Sequence, residues 1–248
     1  METFKTSTIK SIVTADFRAA AIFEKYSLDF CCRGGVTIEQ ACADKRLDPA
    51  PVYAELAQLA GAPAGNAPHY ARWPMDELVD YIVNVHHKFV REALPVIRAH
   101  TQKVGAVHGG NHPEVVAIAR HFETVAAELQ HHMMKEEQML FPYIKGLVGA
   151  KRGLVAWTPP PFGTAQHPIR MMEAEHQAAG DELYVIRSLS NNYAPPEDAC
   201  TTYRVSFSEL QQFEEDLHQH VHLENNILFP KAIALEQELL EQQKDVRA

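Results

Sequence analysis

The 248-residue chain has little cysteine: four residues, two of them adjacent at Cys31 and Cys32. So few thiols cannot staple a chain of this length, which excludes a disulfide-framed secreted domain. Long apolar runs are also missing. No stretch approaches the roughly 18 residues of a membrane span, and residues 1–13 lack the basic-then-apolar layout of a signal peptide. Cations are outnumbered, 23 Lys and Arg against 32 Asp and Glu, for a net charge of −9. No broad basic field is therefore present to hold nucleic acid or an anionic bilayer. With 12 Gly and 15 Pro the chain is neither collagen-like nor low-complexity. The expectation is a soluble cytoplasmic protein with no nucleic-acid or membrane partner. Its 46% hydrophobic content is enough for one large core or two smaller ones.

Strand-like alternation is absent as well, and helical periodicity runs through most of the chain. It predicts helices at about 8–26, 37–44 and 49–60, with Thr37 and Gln40 spaced as a capping box. Gly61-Ala-Pro-Ala-Gly-Asn-Ala-Pro68 is the best boundary in the chain. Beyond it four longer helices are predicted at about 75–103, 113–147, 168–190 and 200–240, with Pro113 and Pro168 in first turns. The fold class is all-α: a small N-terminal helical domain over 1–62, a linker over 63–74, and an antiparallel four-helix bundle over 75–248.

What the chain has in excess is histidine, 14 residues of it. His132-Met-Met-Lys-Glu136 followed by Leu140-Phe141-Pro142 is echoed by His220-Val-His-Leu-Glu224 followed by Leu228-Phe229-Pro230. Both copies fall on apolar stripes. Ile118, Phe122, Val125 and Leu129 lead to His132 and Glu136, and Leu210, Phe213 and Leu217 lead to His220 and Glu224. In the third long helix Ile169 and Met172 lead to His176. Three helices thus aim a histidine into one core, and two add a carboxylate one turn away. Buried carboxylates need compensation. A pair of cations supplies it, with imidazole nitrogens as ligands and each Glu able to bridge. No thiolate belongs to the set, which argues against structural zinc and towards iron or manganese, with iron favoured.

These residues resemble the hemerythrin-type His/Glu bundle. The segment Phe23-Glu-Lys-Tyr-Ser-Leu-Asp-Phe-Cys-Cys-Arg-Gly-Gly35 resembles the Cys-Cys domain of the repair-of-iron-centres family, the di-iron proteins of iron–sulfur cluster repair. His131-His-Met-Met-Lys-Glu-Glu137, Met172-Glu-Ala-Glu-His176, Pro195-Pro-Glu-Asp-Ala-Cys-Thr-Thr202 and Leu223-Glu-Asn-Asn-Ile-Leu-Phe-Pro230 agree with it, so the likeness spans nearly the whole chain. It implies two non-haem irons with an oxo or hydroxo bridge, held by five His and two Glu. Glu136 and Glu224 would bridge, and His132, His176 and His220 would ligate. His108, in Val107-His108-Gly109-Gly110-Asn111-His112-Pro113, matches the family's loop histidine. His87 matches the ligand of the first helix, through His-x3-Arg and Leu94-Pro95. Wheel geometry centres that helix on His86 instead, so His86 stands as the rival to His87.

Glu128 and Glu175 are candidates to line access to the metals, and Cys42 and Cys200 are expected to be packing residues. Cys31 and Cys32, followed by Arg33 and two glycines, are candidates for thiol transfer or redox chemistry. The resemblance implies repair of clusters damaged by nitrosative or oxidative stress, with damaged iron–sulfur proteins as partners and the di-iron site donating iron. Two alternatives use the same centre: reduction of nitric oxide, or carriage and sensing of oxygen or nitric oxide at an open coordination position. Neither enzymatic turnover nor a homodimer is decided by the residues.

Overall fold

The computed structural model describes residues 2–31, 33–62 and 69–247, so Cys32 and residues 63–68 of the expected linker lie outside the described residues. Among those described, every regular element is a helix, and the one β contact is an isolated bridge between Thr8 and Thr37. The chain packs as two compact units, Met1–Pro74 with Val221–Lys231, and Met75–His220 with Ala232–Ala248.

The first unit holds α1 (Glu2–Thr6), α2 (Ile9–Ala15), α3 (Ala19–Lys25), α4 (Ile38–Lys45) and α5 (Ala50–Gly61). The capping box at the start of α4 forms: the Gln40 amide donates to the Thr37 hydroxyl at 3.3 Å, and Gln40 Oε1 accepts the Thr37 N–H at 2.9 Å. The single helix expected over 8–26 is broken, because Asp16 turns inward on its own backbone. Its carboxylate accepts the Arg18 N–H at 3.1 Å and binds the Arg18 guanidinium at 2.6 Å. Ile9, Val13, Phe23, Ile38, Val52 and Leu56 form the core of this unit. Lys25 and Tyr26 both donate to Glu55, at 2.7 and 2.6 Å, and so tie α3 to α5. In the segment 221–231, the His222 ring lies against Phe17 and Phe30, and Asn226 donates to the Phe30 carbonyl at 3.2 Å. Burial pushes the His222 pKa down to about 4, so its imidazole is neutral.

The second unit supplies the bundle, apart from Val221–Lys231 of its fourth helix, which group with the first unit. Its first helix is α6 (Met75–Tyr81), a π-helical turn Ile82–His87 and α7 (Lys88–His108) in uninterrupted succession. Its second is α8 (Pro113–Lys135), a π turn Glu136–Leu140 and α9 (Phe141–Lys151), and its third is α10 (Gln166–Leu189). The fourth runs from α11 (Thr201–Leu223) through a π turn Glu224–Leu228 to α12 (Phe229–Arg247). α8 packs between α7 and α10, and Phe213 of α11 meets Phe122 of α8 edge-on with centroids 5.3 Å apart. Among the described residues no helix is long and apolar enough to cross a membrane.

The π turns have a local cause in two of the three helices. Pro142 and Pro230 each stand two residues past the end of one, and a proline has no N–H to give the carbonyl four residues back. The preceding residues, Phe141 and Phe229, instead donate five residues back, to the carbonyls of Glu136 and Glu224. In the first helix Lys88 donates to Val83 in the same way. Each π turn inserts one residue into the helical count and so rotates the buried face by about 100°. Entering the first turn that face runs through Leu78, Ile82 and His86; leaving it, the face runs through His87, Val90, Leu94 and Ile97. Wheel geometry and motif therefore each locate a buried histidine, His86 from one side of the turn and His87 from the other.

Beyond α10, Asn191, Asn192 and Tyr193 all have positive φ, and for a tyrosine this is an uncommon conformation. It delivers the Tyr193 hydroxyl to Glu214 at 2.7 Å, a buried carboxylate also held by the Arg187 guanidinium at 2.8 Å. Removing the hydroxyl leaves a buried acceptor short of one donor. Tyr193→Phe is expected to lower stability by about 1–2 kcal/mol. A lower urea midpoint at unchanged slope would show this, and an unchanged midpoint would remove Tyr193 from that role.

Candidate metal centre

Three helices place their histidines by apolar periodicity, and the π turn of the first helix turns His87 inward beside them. The first contributes His87, the second His132 and Glu136, α10 contributes His176, and α11 contributes His220 with Glu224 one turn on. All six are at most 2% exposed. Their ligating atoms form two groups, His87, Glu136, His220 and Glu224, and His132, Glu136, His176 and Glu224. Within each group all the atoms lie within 4.8 Å of one another. The two carboxylates are common to both groups, and each group has two imidazoles of its own. The Nε2 atoms converge: His87 to His220 is 3.1 Å and His132 to His176 is 2.9 Å. Glu136 Oε2 stands 3.3 Å from Nε2 of both His87 and His132.

The outer nitrogens explain which way these rings present themselves. His87 Nδ1 donates to Glu137 at 2.7 Å, and Glu137 in turn accepts from Arg91 at 2.6 Å. His132 Nδ1 donates to Glu175 at 2.9 Å, and Glu175 is paired with Lys135. Burial works against ionisation of both carboxylates. For Glu137 the hydrogen bonds from Arg91 and His87 outweigh it, and for Glu175 those from Lys135 and His132 do, so both pKa values lie below the usual carboxylate range. With the proton fixed on Nδ1, the Nε2 lone pairs of His87 and His132 face the carboxylates, the tautomer in which imidazole binds a cation. Four imidazoles and two carboxylates, sealed from water and free of thiolate, fit hard-to-borderline divalent or trivalent cations, iron among them.

His86 and His87 are both buried but do different things. His87 belongs to a ligand group. His86 donates from Nδ1 to Asp216 at 2.9 Å and stacks on His220 with centroids 5.7 Å apart, outside both groups. The loop position expected for His108 is not found. α7 runs past residue 103 and includes His108 as its last residue. At 1.5 Å per residue that is about 30 Å along the helix from His87, so His108 cannot share the centre. Four histidines rather than five are gathered among the described residues.

Glu128 is exposed, because it lies one residue off the stripe that buries Leu129 and His132, and it holds no ligand. Glu175 does. Cys31 is buried, and Asp29 Oδ1 accepts both its backbone N–H at 2.9 Å and its thiol at 3.4 Å. Cys42 packs in the first unit, where burial raises its pKa. Cys200 is exposed, not packed.

Two supporting residues escaped the sequence pattern. Asp216 carries no signature. Glu137 had one, the doublet Glu136-Glu137 in which only the first residue lies on the stripe.

Comparison with known proteins agrees with this geometry. The hemerythrin HHE cation binding domain matches residues 78–232, and a domain of unknown function, DUF542, matches residues 5–60. Among curated proteins, the iron-sulfur cluster repair protein YtfE of Citrobacter koseri is 39% identical over 217 residues, covering 88% of this chain and 92% of that one. The protein of the same name from Enterobacter sp. strain 638 is 37% identical over 231 residues, covering 93% and 98%.

Two outcomes are expected. His87→Leu should lower iron content measured by mass spectrometry of the purified protein, and His108→Leu should leave it unchanged. Glu137→Gln and Glu175→Gln should each weaken iron retention against a chelator by roughly 10–100-fold, the usual effect of losing a carboxylate behind a ligating imidazole. Equal retention by wild type and both variants would contradict the tautomer argument.

Proposed function

We propose, because the chain belongs to the hemerythrin HHE cation-binding family and to the iron-sulfur cluster repair proteins within it, that its His/Glu cluster holds iron for rebuilding damaged iron–sulfur clusters. The protein acts in the cytoplasm, its partners are iron–sulfur proteins damaged by nitrosative or oxidative stress, and the iron is cargo. Each ligand group takes one iron, so the full load is two non-haem ions. When bound, the pair supplies ferric/ferrous redox change and an exchangeable ion.

The observation that carries this proposal is the sharing of Glu136 and Glu224 between both ligand groups. A buried carboxylate stripped of its only cation is costly. Here a departing ion leaves both carboxylates still compensated by the ion that stays. The histidines are not shared: His87 and His220 serve one ion, His132 and His176 the other. Unloading one group therefore frees two neutral imidazoles, whose burial costs much less than that of a charge. Glu137 and Glu175 keep the rings of His87 and His132 oriented throughout, so the emptied half is ready to reload.

The test is direct. Iron-loaded protein incubated with a nitrosylated [4Fe–4S] enzyme and a reductant should restore that enzyme's activity, with loss of iron from the donor. The His132→Leu/Glu136→Leu double variant should not. Equal restoration by the double variant, or restoration with no loss of donor iron, would overturn iron donation from this site.

A further inference from the structure

His108 and Cys200 both come from segments that carried the family likeness, and neither has a part in the iron-binding cluster. The fold brings them together at the other end of the bundle. His108 closes α7, His112 sits just ahead of α8, and Asp198 and Cys200 immediately precede α11. Cys200 Sγ is 3.2 Å from His108 Nε2. His112 Nε2 is 3.0 and 3.1 Å from the two carboxylate oxygens of Asp198, and its Nδ1 is 3.2 Å from Glu114. The Tyr203 ring backs both histidines, with centroids 5.2 Å from His108 and 5.9 Å from His112.

From this cluster we infer a second metal site, for a zinc-class divalent cation, with Cys200 and His108 as its first two ligands and His112 and Asp198 completing it. The donor chemistry separates it from the iron centre. A thiolate with two imidazoles and one carboxylate selects a softer, tetrahedral cation, whereas the iron centre has no sulfur. The two short contacts, nitrogen to sulfur and nitrogen to oxygen, are close to the edge of a tetrahedral zinc sphere, about 3.5 Å for ligand distances of 2.0–2.3 Å.

Among the described residues no three of these donors lie within 4.8 Å of one another, so they stand as two hydrogen-bonded pairs, His108 with Cys200 and His112 with Asp198. The cation draws the pairs together by exchanging two hydrogen bonds for metal bonds. Cys200 is exposed and His108 only half-buried, so the ion can reach them. Binding sends one proton from Cys200 Sγ and one from His112 Nε2 into solvent, and Glu114 keeps the Nδ1 proton of His112 in place. Such a site would staple the α7–α8 turn to the entry of α11.

The probe is Co²⁺, titrated into iron-loaded protein as a spectroscopic stand-in for zinc. A thiolate-to-cobalt charge-transfer band saturating at one equivalent per chain is expected. It should vanish in Cys200→Ser, an isosteric change at an exposed position. It should need on the order of tenfold more metal in His108→Ala and in His112→Ala. Absence of the band in the wild-type protein would overturn the site. So would a band that survives Cys200→Ser, which would assign the sulfur to another cysteine. Titrations of the two histidine variants that superimpose on wild type would overturn it too. Because the test follows sulfur–metal absorption and not repair, its failure would leave iron donation standing, and the reverse.

Discussion

Two carboxylates buried among imidazoles set the terms for the bundle. Glu136 and Glu224 are sealed from water, and no apolar packing offsets the cost of an ionised group in such a place. The compensation has to be arranged from four helices at once, with His87, His132, His176 and His220 closing on the same two side chains. A bundle can do this because its helices present residues to a shared axis at fixed intervals, so that ligands far apart in sequence meet at one level.

The level is set by the π turns. In an ideal α-helix the stripe through His132, Glu136 and Leu140 would continue to residues 143 and 144, leaving Phe141 off the core. The π turn lets Leu140 and Phe141 both be buried, and Leu228 and Phe229 repeat this in the fourth helix. Pro142 and Pro230 fix where the extra residue goes, since the hydrogen bond that each cannot make is the one that widening of the helix gives up. The sequence echo of His-x3-Glu-x3-Leu-Phe-Pro is therefore a structural unit: two ligands, one register shift and the proline that locates it. α10, which gives a single ligand and has no such proline, stays regular throughout.

Around the ligands the charges are layered. Neutral rings donate outward to Glu137 and Glu175, and those carboxylates are met by Arg91 and Lys135 nearer the surface. Each layer stabilises the one inside it. The second bundle helix supplies ligands and support together, because His132, Lys135, Glu136 and Glu137 fall within six consecutive residues. The opposite end of the bundle groups its side chains differently, with a thiol, two imidazoles and a carboxylate near the surface. The same four-helix frame thus offers two donor sets of different softness at its two ends.

Read alone, the sequence determined the all-helical class, the Thr37 cap, the four long helices and five of the six gathered ligands through stripe positions or the repeated motif, because helical periodicity and capping are local properties. His87 came from family likeness, since its own helix wheel favoured His86. Tertiary structure decided the rest. A π turn cannot be read from a wheel that assumes 3.6 residues per turn, so only the folded helix shows how His86 and His87 are both buried and which of them joins the His/Glu cluster. The place of His108 depended on where α7 ends, a boundary that sequence signals mark poorly, and five further residues of helix carried it out of the centre. Asp216, Glu137 and the pairing of His108 with Cys200 are contacts between helices or their ends. Side chains brought together from distant parts of the chain leave no periodic trace in it, and only packing brings them within reach of one another.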